Sequence, residues 1–566
     1  MSKKKKRNII PEVNPTIKIS KFEEIFSHHA VTWLIIVGVL LFGKTLFFDF
    51  SFFDDNVLIL DNIGFLRNIG NIFKAFQMDV FHLVGHSAAY YRPILTISFM
   101  IDAILGGTNP FMYHFGNLFL HISSTITLYY VFRKLRYSLN QSFVVSLIFI
   151  AHPIVSQAVA WIPGRNDSLM ALFIFLAFIQ LIDYLKNRVN KNLIWHLVFV
   201  TLAIFTKETA LVLSVIFPLY YVRFRKESFA NKNIIMAASG WIGIVFVWFI
   251  LRSLALTNSI TYTFSTMVQS LITNLPATIQ FIGKIFLPFN LSVLPIIQDT
   301  SFIYGIISII ALFIILFSTK NKQYQILLFG VIWFLAFLLP SFIRPNLDVV
   351  ADFLEHRVYV SLFGILLILI ELDPLSIIQL KPLRQWLLTG IVTILCISTF
   401  IHLNNFQNRL VFWENAATTS PHSPLAHRNY GVMLYFEKQY DQALKEYQKA
   451  LELNPKEEMA HNNLGVIYLK QEKYTEAETE FNMELENNPS YDNAIFNLGL
   501  AKFKQDKIDE AIKLWEQTIV INPGYTGAYS NLLQYYSSQK DTINYQRIIN
   551  IMQKYGISIP GSNPSY

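Results

Sequence analysis

The chain has 566 residues, of which 53% are hydrophobic and 15% are charged, and its mean hydropathy is +0.39. These values exclude an ordinary water-soluble enzyme and indicate a multi-spanning membrane protein with additional water-soluble mass. The net charge of +8 does not indicate a nucleic-acid partner, because many basic residues lie in short runs between apolar segments, as in cytoplasmic loops. The one cysteine, Cys396, lies in an apolar segment, which excludes a disulfide framework and a cysteine metal site.

The N-terminal part consists of a basic tail and a first apolar segment. Residues 1–28 are polar and contain a run of four lysines and one arginine, which predicts a cytoplasmic tail that contacts anionic lipid. Residues 31–48 are long and apolar enough to cross a bilayer. We expect this helix to lead outward, so that Asp54 and Asp55 emerge on the extracytoplasmic side. Charges at the end of a span either reach the interface or have a function.

The rest of the membrane region alternates apolar segments with short Lys/Arg runs. The positions of these runs predict about eleven spans, with the N-terminus cytoplasmic and the C-terminal region extracytoplasmic. Residues 92–105 are too short to cross and are interpreted as an interfacial helix, and residues 271–287, which contain Pro276, as a re-entrant or tilted segment. We expect a membrane domain over residues 29–403 and a linker over residues 404–421.

An internal repeat begins near residue 422, where the composition changes to mixed charge. Several columns of residues recur at a step of 34: Gly431, Gly465 and Gly499; Ala426, Ala460, Ala494 and Ala528; Asn429, Asn463, Asn497 and Asn531; Pro421, Pro455, Pro489 and Pro523. This period, with small residues at helix crossings and proline at the unit boundary, is typical of tetratricopeptide repeats. It predicts an α-solenoid over residues 422–566 that binds a peptide or protein partner.

The polar residues of the membrane region fall into five groups. They are Asp54-Asp55, Tyr91-Arg92-Pro93, His152-Pro153 with Gly164 to Asp167, Thr206-Lys207-Glu208, and Glu355-His356-Arg357. On the predicted topology, all five lie at extracytoplasmic helix ends. This predicts a reaction cavity at one membrane face, and argues against a transporter, which places polar groups near the midplane and on both faces.

These motifs also resemble a known family. The order FFDDN, YYRP, NPFMYHFGNLFLH, AHPIVSQAVAWIPGRND, TKE and LEHRVYVSLFG, followed by the repeats, resembles the transmembrane and tetratricopeptide-repeat O-mannosyltransferases and their prokaryotic relatives, over nearly the whole chain past residue 40. The resemblance implies an all-α membrane helix bundle of the type C glycosyltransferase fold, followed by the solenoid. It also implies a polyprenyl- or dolichyl-phosphate sugar donor, used on the extracytoplasmic face, and protein side chains as acceptors. The family's tryptophan before the aspartate pair is Phe53 here, and its repeat array is usually longer.

The chemistry assigns a role to each polar group. Asp54 or Asp55 is the candidate general base for the acceptor hydroxyl, with Asp54 preferred because the first acid of the motif recurs in the wider fold. Positively charged and donor groups suit the phosphate of the donor, and the candidates are Arg165, Arg357, His152 and Lys207. The candidates for substrate contacts are Arg92, Asp167, Glu208 and Glu355.

Each of these assignments has a structural alternative. In this alternative the charged side chains only stabilise the fold: Arg165 pairs with Asp167, Arg357 pairs with Glu355, and Lys207 pairs with its neighbour Glu208. No spacing of histidines and carboxylates demands a metal, no cofactor is required, and a divalent ion on the aspartate pair has no support in the sequence.

The sequence therefore leads to two hypotheses from different classes. The first is an inverting, lipid-phosphate-dependent hexosyltransferase that moves a sugar, mannose by resemblance, onto protein Ser/Thr residues while the repeats bind the acceptor or a partner. The alternative is a non-enzymatic membrane scaffold whose repeats assemble envelope proteins.

Overall fold

The computed structural model of the protein describes residues 29–83, 90–225, 232–256, 263–320, 322–343, 350–372 and 382–557. The predicted basic tail, residues 1–28, lies outside the described residues. The chain divides into two compact units, Met1–Asn415 and Ala416–Tyr566. The described residues contain helices and no β-strand, which confirms the all-α prediction.

The first unit is built from long apolar helices joined by short ones. The α-helices are α1 Ala30–Phe42, α2 Ile63–Leu66, α3 Pro93–Gly106, α4 Pro110–Lys134, α5 Leu139–Ala151, α6 Ser156–Ala160, α7 Arg165–Asn187, α8 Asn190–Thr206, α9 Leu213–Arg225, α10 Lys232–Ala255, α11 Phe264–Asn274, α12 Ala277–Phe286, α13 Ile303–Ser318, α14 Tyr324–Leu338, α15 Leu362–Glu371 and α16 Pro382–His402, and the boundary between the two units falls within α17 Arg409–Thr419. Short 3₁₀ turns over Pro153–Val155, Ile162–Gly164, Glu208–Val212 and Glu355–Val358 lie beside the predicted polar groups.

Local sequence explains where two central helices begin and end. Helix α4 follows Asn109, whose side chain accepts a hydrogen bond from the N–H of Phe111, and Pro110 fits the first helical position. Its last turn carries Arg133 and Lys134, which suit the negative end of the helix dipole. Helix α5 begins with a reciprocal capping box between Ser138 and Gln141.

Two segments that the sequence presents as continuous are broken. Helices α5 and α6 are bent by 55° at the break after Ala151. The break coincides with His152 and Pro153, because a proline N-terminal to a helix disfavours helical backbone in the residue before it. Residues 271–287, interpreted as re-entrant or tilted, belong to two helices, α11 and α12, separated at Leu275 and Pro276.

Five helices have the length and composition of membrane spans. They cover Ala30–Phe47, Ile162–Asn187, Asn233–Ala255, Tyr324–Phe342 and Trp386–Phe406, and the bent α5–α6 pair makes a sixth if it is one span. Shorter apolar helices, including α3, α12, α13 and α15, accompany them among the described residues. The unit is thus a multi-spanning helix bundle, while the number of about eleven spans stays a prediction.

The second unit is a succession of antiparallel helix pairs. Its helices are α18 Pro424–Phe436, α19 Tyr440–Leu453, α20 Ala460–Lys470, α21 Tyr474–Asn487, α22 Asp492–Lys504, α23 Ile508–Ile521, α24 Thr526–Ser538 and α25 Thr542–Lys554. The recurring alanines are buried without exception. A Cβ at Gly465 would lie 2.6 Å from the ring of Phe481. The glycine therefore leaves room for this ring between the two helices of the pair. The helical-repeat prediction is confirmed.

Candidate functional site

One cavity of about 720 Å³ in the first unit gathers most of the predicted polar residues. We call it the polar cavity. Six of the ten predicted site residues line it: Asp54, Arg92, Asp167, Lys207, Glu208 and Arg357. Asp55, His152, Arg165 and Glu355 are not among its lining residues. The cavity therefore gathers residues from all five polar groups of the sequence, while four of the ten candidate side chains lie outside its lining.

Aromatic packing fixes the loop that presents Asp54. The ring of Phe53 stacks on Trp161 at a centroid distance of 5.1 Å and meets Trp413 edge-on at 5.4 Å. The indole N–H of Trp161 donates to the Phe53 carbonyl at 2.7 Å. Asp54 itself has φ of 68°, a left-handed conformation that aspartate tolerates better than most residues. The packing on both sides of Phe53 thus holds Asp54 in an unusual backbone state at the cavity wall.

The two aspartates have different environments. The Asp55 carboxylate is buried and accepts hydrogen bonds from the N–H and hydroxyl of Ser51, at 2.7 and 2.8 Å, so it holds the loop together. The Asp54 carboxylate lines the cavity, is partly buried, and has no side-chain hydrogen bond or ion pair among the described residues. This difference selects Asp54 as the group that is available to a substrate.

Burial raises the pKa of both carboxyl groups. The pKa of Asp54 rises to about 7, first through loss of solvation and then through the nearby negative charges of Asp55 and Asp352, with Arg92 acting in the opposite direction. The pKa of Asp55 rises to about 6 for the same first reason, which hydrogen bonds from Ser51 partly offset. A carboxylate with a pKa near neutrality is suited to accept a proton during a reaction.

Three ion pairs surround Asp54. Arg92 forms a two-pronged pair with Glu208, through hydrogen bonds of 2.9 and 2.5 Å. Lys207 contacts both carboxylate oxygens of Asp167, at 2.8 and 2.7 Å. Because both partners of these pairs line the cavity, its wall carries charge of both signs in fixed positions.

The third pair corrects the structural alternative for Arg357 in the Glu-His-Arg group. Arg357 does not pair with Glu355; its guanidinium contacts the carboxylate of Asp352 at 2.8 Å and the Asp352 carbonyl at 2.6 Å. Glu355 is fully buried and lies between Lys284, at 2.7 Å, and His402, at 3.1 Å. Glu355 therefore joins three segments beneath the site and does not offer a free carboxylate to a substrate.

Arg165 was expected to bind phosphate or to pair with Asp167, but its contacts in the structure are to other residues. Its guanidinium is 1% exposed and pairs with Asp102 of α3 at 2.5 Å. It also donates to the Asn117 side chain and to the Tyr113 carbonyl, both at 2.6 Å. With its donors engaged inside the bundle, Arg165 connects α3, α4 and α7, and we withdraw it as a phosphate ligand.

His152 is likewise engaged away from the cavity. Its Nε2 lies 2.7 Å from the Ile285 carbonyl, and its Nδ1 accepts from the N–H of Ile154. Since one ring nitrogen faces a carbonyl acceptor and the other a backbone donor, the neutral tautomer protonated at Nε2 satisfies both. His152 therefore stabilises the α5–α6 bend and has no ring nitrogen left for a phosphate.

The sequence interpretation assigned no role to His356, although it quoted the residue within its motif. The ring lines the cavity, its Nδ1 lies 3.1 Å from the amide oxygen of Gln157, and its Nε2 lies 3.7 Å from the Asp167 carboxylate. Burial, and then the positive charges of Lys207 and Arg357, hold the pKa of His356 well below its usual range. The ring is therefore neutral, and its Nε2 is an acceptor at the cavity wall.

Two further cavity residues on α10 were overlooked, Trp248 and Arg252. A signal for Arg252 was present in the sequence. It directly follows the apolar segment over residues 234–251, which the alternation of apolar segments and basic runs predicts to lead outward. A basic residue at the outer end of that segment departs from the pattern that places basic residues in the cytoplasm. Among the described residues, no group of three or more His, Cys, Asp or Glu side chains has the geometry to hold a metal ion.

Comparisons with known proteins match both the repeats and a family of transferases. A model described as TPR repeat matches residues 431–472, and one described as tetratricopeptide repeat matches residues 493–524. Protein O-mannosyl-transferase TMTC1 of Mus musculus is 40% identical over 91 residues, 16% of this chain and 10% of the relative. Protein O-mannosyl-transferase TMTC2 of Homo sapiens is 33% identical over 155 residues, 27% of this chain and 18% of the relative.

A solved structure of the first TPR of Spaghetti (RPAP3) bound to the HSP90 peptide SRMEEVD also matches. It is 25% identical with a TM-score of 0.20, and the match covers 21% of this chain and 93% of that one.

The matches to the two O-mannosyl-transferases span less than a fifth of the length of those relatives. The apolar helices and these relatives together identify a multi-pass membrane protein. The chain thus contains tetratricopeptide repeats and is similar, over part of its length, to protein O-mannosyl-transferases.

Proposed function

We propose that this protein is a glycosyltransferase that moves a hexose from a polyprenyl-phosphate donor to the hydroxyl of a protein Ser or Thr residue. The names of the relatives suggest mannose as the sugar. The observation that supports the proposal most directly is Asp54, a carboxylate without a side-chain partner among the described residues, in a cavity whose other described carboxylates are each paired with a cation.

Asp54 acts as the general base in this reaction. Its carboxylate takes the proton of the acceptor hydroxyl while the hydroxyl oxygen forms a bond to the anomeric carbon of the sugar. The bond between that carbon and the phosphate oxygen breaks, its electron pair stays on the oxygen, and polyprenyl phosphate leaves. Attack on the face opposite the leaving group inverts the anomeric configuration.

The paired charges of the cavity orient the substrates. Lys207 and Arg357 supply positive charge near the bond that breaks, where negative charge develops on the phosphate. Glu208 and Asp167 fix Arg92 and Lys207 in place, and their remaining acceptor capacity suits sugar hydroxyls. His356 adds a neutral acceptor for a hydroxyl of the sugar or of the protein substrate.

The topology inferred from the basic runs assigns this chemistry to the extracytoplasmic face, with the N-terminus in the cytoplasm. The repeats, by the general property of such solenoids, bind the acceptor protein or a partner that delivers it. We place the repeat unit on the extracytoplasmic side, since the count of about eleven spans is odd.

The proposal is tested with purified full-length protein, polyprenyl-phosphate mannose and a Ser/Thr-containing acceptor protein. We expect wild-type protein to transfer mannose and Asp54→Asn to be slower by about 10²- to 10⁴-fold, the usual contribution of a general base. Asp61→Asn is the matched control, because Asp61 is an exposed acid of the same region outside the cavity. Asp55→Asn should lose stability through the Ser51 contacts as well as activity.

Two results would overturn the proposal. One is the absence of transfer from every polyprenyl-phosphate hexose tried, and the other is full activity of Asp54→Asn. If transfer is absent while the protein still captures a binding partner through its repeats, the membrane-scaffold alternative takes its place.

A further inference from the structure

The cations of the polar cavity differ in how far they are neutralised. Arg92, Lys207 and Arg357 each contact a carboxylate that also lines the cavity, namely Glu208, Asp167 and Asp352. Each of these pairs is close to neutral overall. Arg252 also lines the cavity, and its guanidinium makes no hydrogen bond or ion pair with the described residues. It is therefore the cavity cation whose charge is least compensated by the protein.

An unsatisfied donor lies next to Arg252. Trp248, one turn earlier on α10, lines the same cavity and is 6% exposed. Its indole N–H has no hydrogen-bond partner among the described residues, which is unusual for a buried tryptophan. The guanidinium of Arg252 lies over the Trp248 ring, 5.8 Å from its centroid. Two donors on one helix face thus lack the acceptor that both require.

The position of α10 indicates where such an acceptor comes from. Both residues belong to the apolar span Asn233–Ala255. Only 22% of the most apolar stretch of this span is buried in the protein. Large apolar side chains, such as Ile242, Phe246 and Leu254, are exposed on its outer surface. In a membrane protein, this surface contacts lipid. A charged residue in such a span is retained either by reaching the interface or by binding a ligand.

The lining of the cavity also includes apolar side chains. Among them are Met267 of α11 and Phe337 of α14, together with Pro340 and Ile343. Asp54 and the three ion pairs line the same cavity. A molecule with a hydrocarbon chain at one end, a phosphate in the middle and a polar group at the other end would find a matching surface for each part.

We propose that Arg252 and the indole N–H of Trp248 bind the phosphate of the polyprenyl-phosphate sugar at the lipid-facing side of the cavity. This inference rests on the proposed function and names the residues that hold the donor. The guanidinium pairs with one phosphate oxygen and the indole donates to the same or an adjacent oxygen. The polyprenyl chain follows the apolar wall toward the bilayer, and the sugar extends toward Asp54.

The test measures equilibrium binding of polyprenyl phosphate, without a sugar, to full-length protein in phosphatidylcholine nanodiscs. We expect Arg252→Gln to bind about 10- to 100-fold more weakly, the range for one charge-assisted hydrogen bond. Trp248→Phe keeps an aromatic ring and should bind about 2- to 10-fold more weakly, as for one neutral hydrogen bond. The matched controls are Arg67→Gln and Trp386→Phe, an exposed arginine and an exposed tryptophan outside the cavity.

Competition experiments separate the possible sources of the phosphate group. Polyprenol lacks the phosphate, inorganic phosphate lacks the chain, and phosphatidylglycerol is a bulk anionic lipid. Of the four compounds, only added polyprenyl phosphate should effectively displace polyprenyl phosphate that is already bound to the protein. If phosphatidylglycerol competes equally well, Arg252 contacts general lipid headgroups and the proposal is wrong.

The outcome does not depend on catalysis. Weaker binding of polyprenyl phosphate by Arg252→Gln than by wild-type protein and by the Arg67→Gln control supports the phosphate site even if no sugar transfer is found. Unchanged binding by both Arg252→Gln and Trp248→Phe contradicts the site even in an active transferase. Arg252→Lys retains the charge and should restore part of the affinity, which separates a binding role from damage to the fold. A wild-type protein that binds no polyprenyl phosphate also overturns the inference.

Discussion

Trp161 holds Phe53 by two contacts at once, because its indole N–H donates to the Phe53 carbonyl at 2.7 Å while the two rings stack 5.1 Å apart. Trp161 lies at the N-terminal side of α7, 108 residues further along the chain, and both residues line the polar cavity. The pair therefore ties the loop of Asp54 to the helix that carries Asp167. Loss of the hydrogen bond should disturb the position of Asp54 without removing any charged group.

This relationship predicts the effect of Trp161→Phe. The substitution keeps an aromatic ring against Phe53 and removes the hydrogen bond, worth about 1 kcal/mol, so we expect a rate of transfer roughly fivefold lower. Donor affinity should be unchanged, since the lipid-facing wall is unaffected. Trp413→Phe is the control, because Trp413 packs on the same ring but its N–H has no hydrogen-bond partner among the described residues. Equal effects of the two substitutions would mean that ring packing alone matters.

The elevated pKa of Asp54 predicts how activity and stability change with pH. A base must be ionised, so the rate of transfer should rise with pH and level off above the pKa of about 7. The free energy of unfolding changes with pH in the opposite direction. Because the folded state binds the Asp54 proton more tightly than the unfolded state does, ionisation of Asp54 lowers the free energy of unfolding as the pH rises from about 4 to about 7.

Asp54→Asn removes this ionisation and gives a measurement that is independent of activity. We expect the melting temperature of Asp54→Asn to exceed that of wild-type protein at about pH 8, with a smaller difference at about pH 5. Asp61→Asn should show no such dependence. A difference that stays constant over this pH range would show that Asp54 has an ordinary pKa.

The structure predicts that Arg165 affects folding and not donor affinity. Arg165→Met leaves Asp102 as an unpaired buried charge and should destabilise the protein by about 3–5 kcal/mol. Any folded protein that remains should bind polyprenyl phosphate normally. Arg165→Lys should not restore stability, since one ammonium group cannot reproduce the contacts to Asp102, Asn117 and Tyr113. Weakened donor binding with normal stability would instead return Arg165 to the phosphate site.

The sequence pointed to the segments that line the polar cavity but not to which of their side chains face it, and helix geometry explains why. Arg165 and Asp167 are only two positions apart in one motif, but side chains two positions apart on an α-helix point in directions that differ by about 200°. Asp167 consequently lines the cavity while Arg165 contacts Asp102 on the opposite side. That contact also requires Gly116, where a Cβ would lie 2.5 Å from the Arg165 guanidinium. The sequence contains no short-range signal for a pairing between residues 63 positions apart.

The repeats were predictable because their contacts join residues that are close in the sequence or one repeat apart. Each 34-residue unit makes its main contacts within itself and with the next unit, so the spacing of small residues reflects the contacts directly. Gly431, Gly465 and Gly499 indeed meet the rings of Tyr447, Phe481 and Trp515, which share the same step. Partners of buried charges in the membrane bundle, such as Lys284 with Glu355, come from distant segments and follow no period.

The repeat unit contains a histidine contact that should respond to pH. In His461, Nδ1 lies 2.6 Å from the Glu480 carboxylate and Nε2 lies 3.1 Å from the Pro455 carbonyl. Both partners are acceptors, so the geometry is satisfied fully only by the doubly protonated ring. Burial lowers the pKa of His461, but the hydrogen bonds to Glu480 and Pro455 outweigh it and raise the pKa above its usual value. Its contribution to stability is therefore complete below about pH 6.5 and is lost as the pH rises through the elevated pKa.

Hydrogen exchange of the full-length protein, corrected for intrinsic rates, measures this loss. We expect protection around Pro455 and in α20 to fall between about pH 6 and pH 9, and His461→Gln to abolish the pH dependence at a cost of about 1–2 kcal/mol of local stability. The fourth unit is an internal control, because Tyr529 makes the equivalent bond to the Pro523 carbonyl with a hydroxyl that stays protonated in this range. Because the fourth unit has no group that titrates in this contact, equal loss of protection around Pro455 and Pro523 would attribute the effect to the whole solenoid and not to His461.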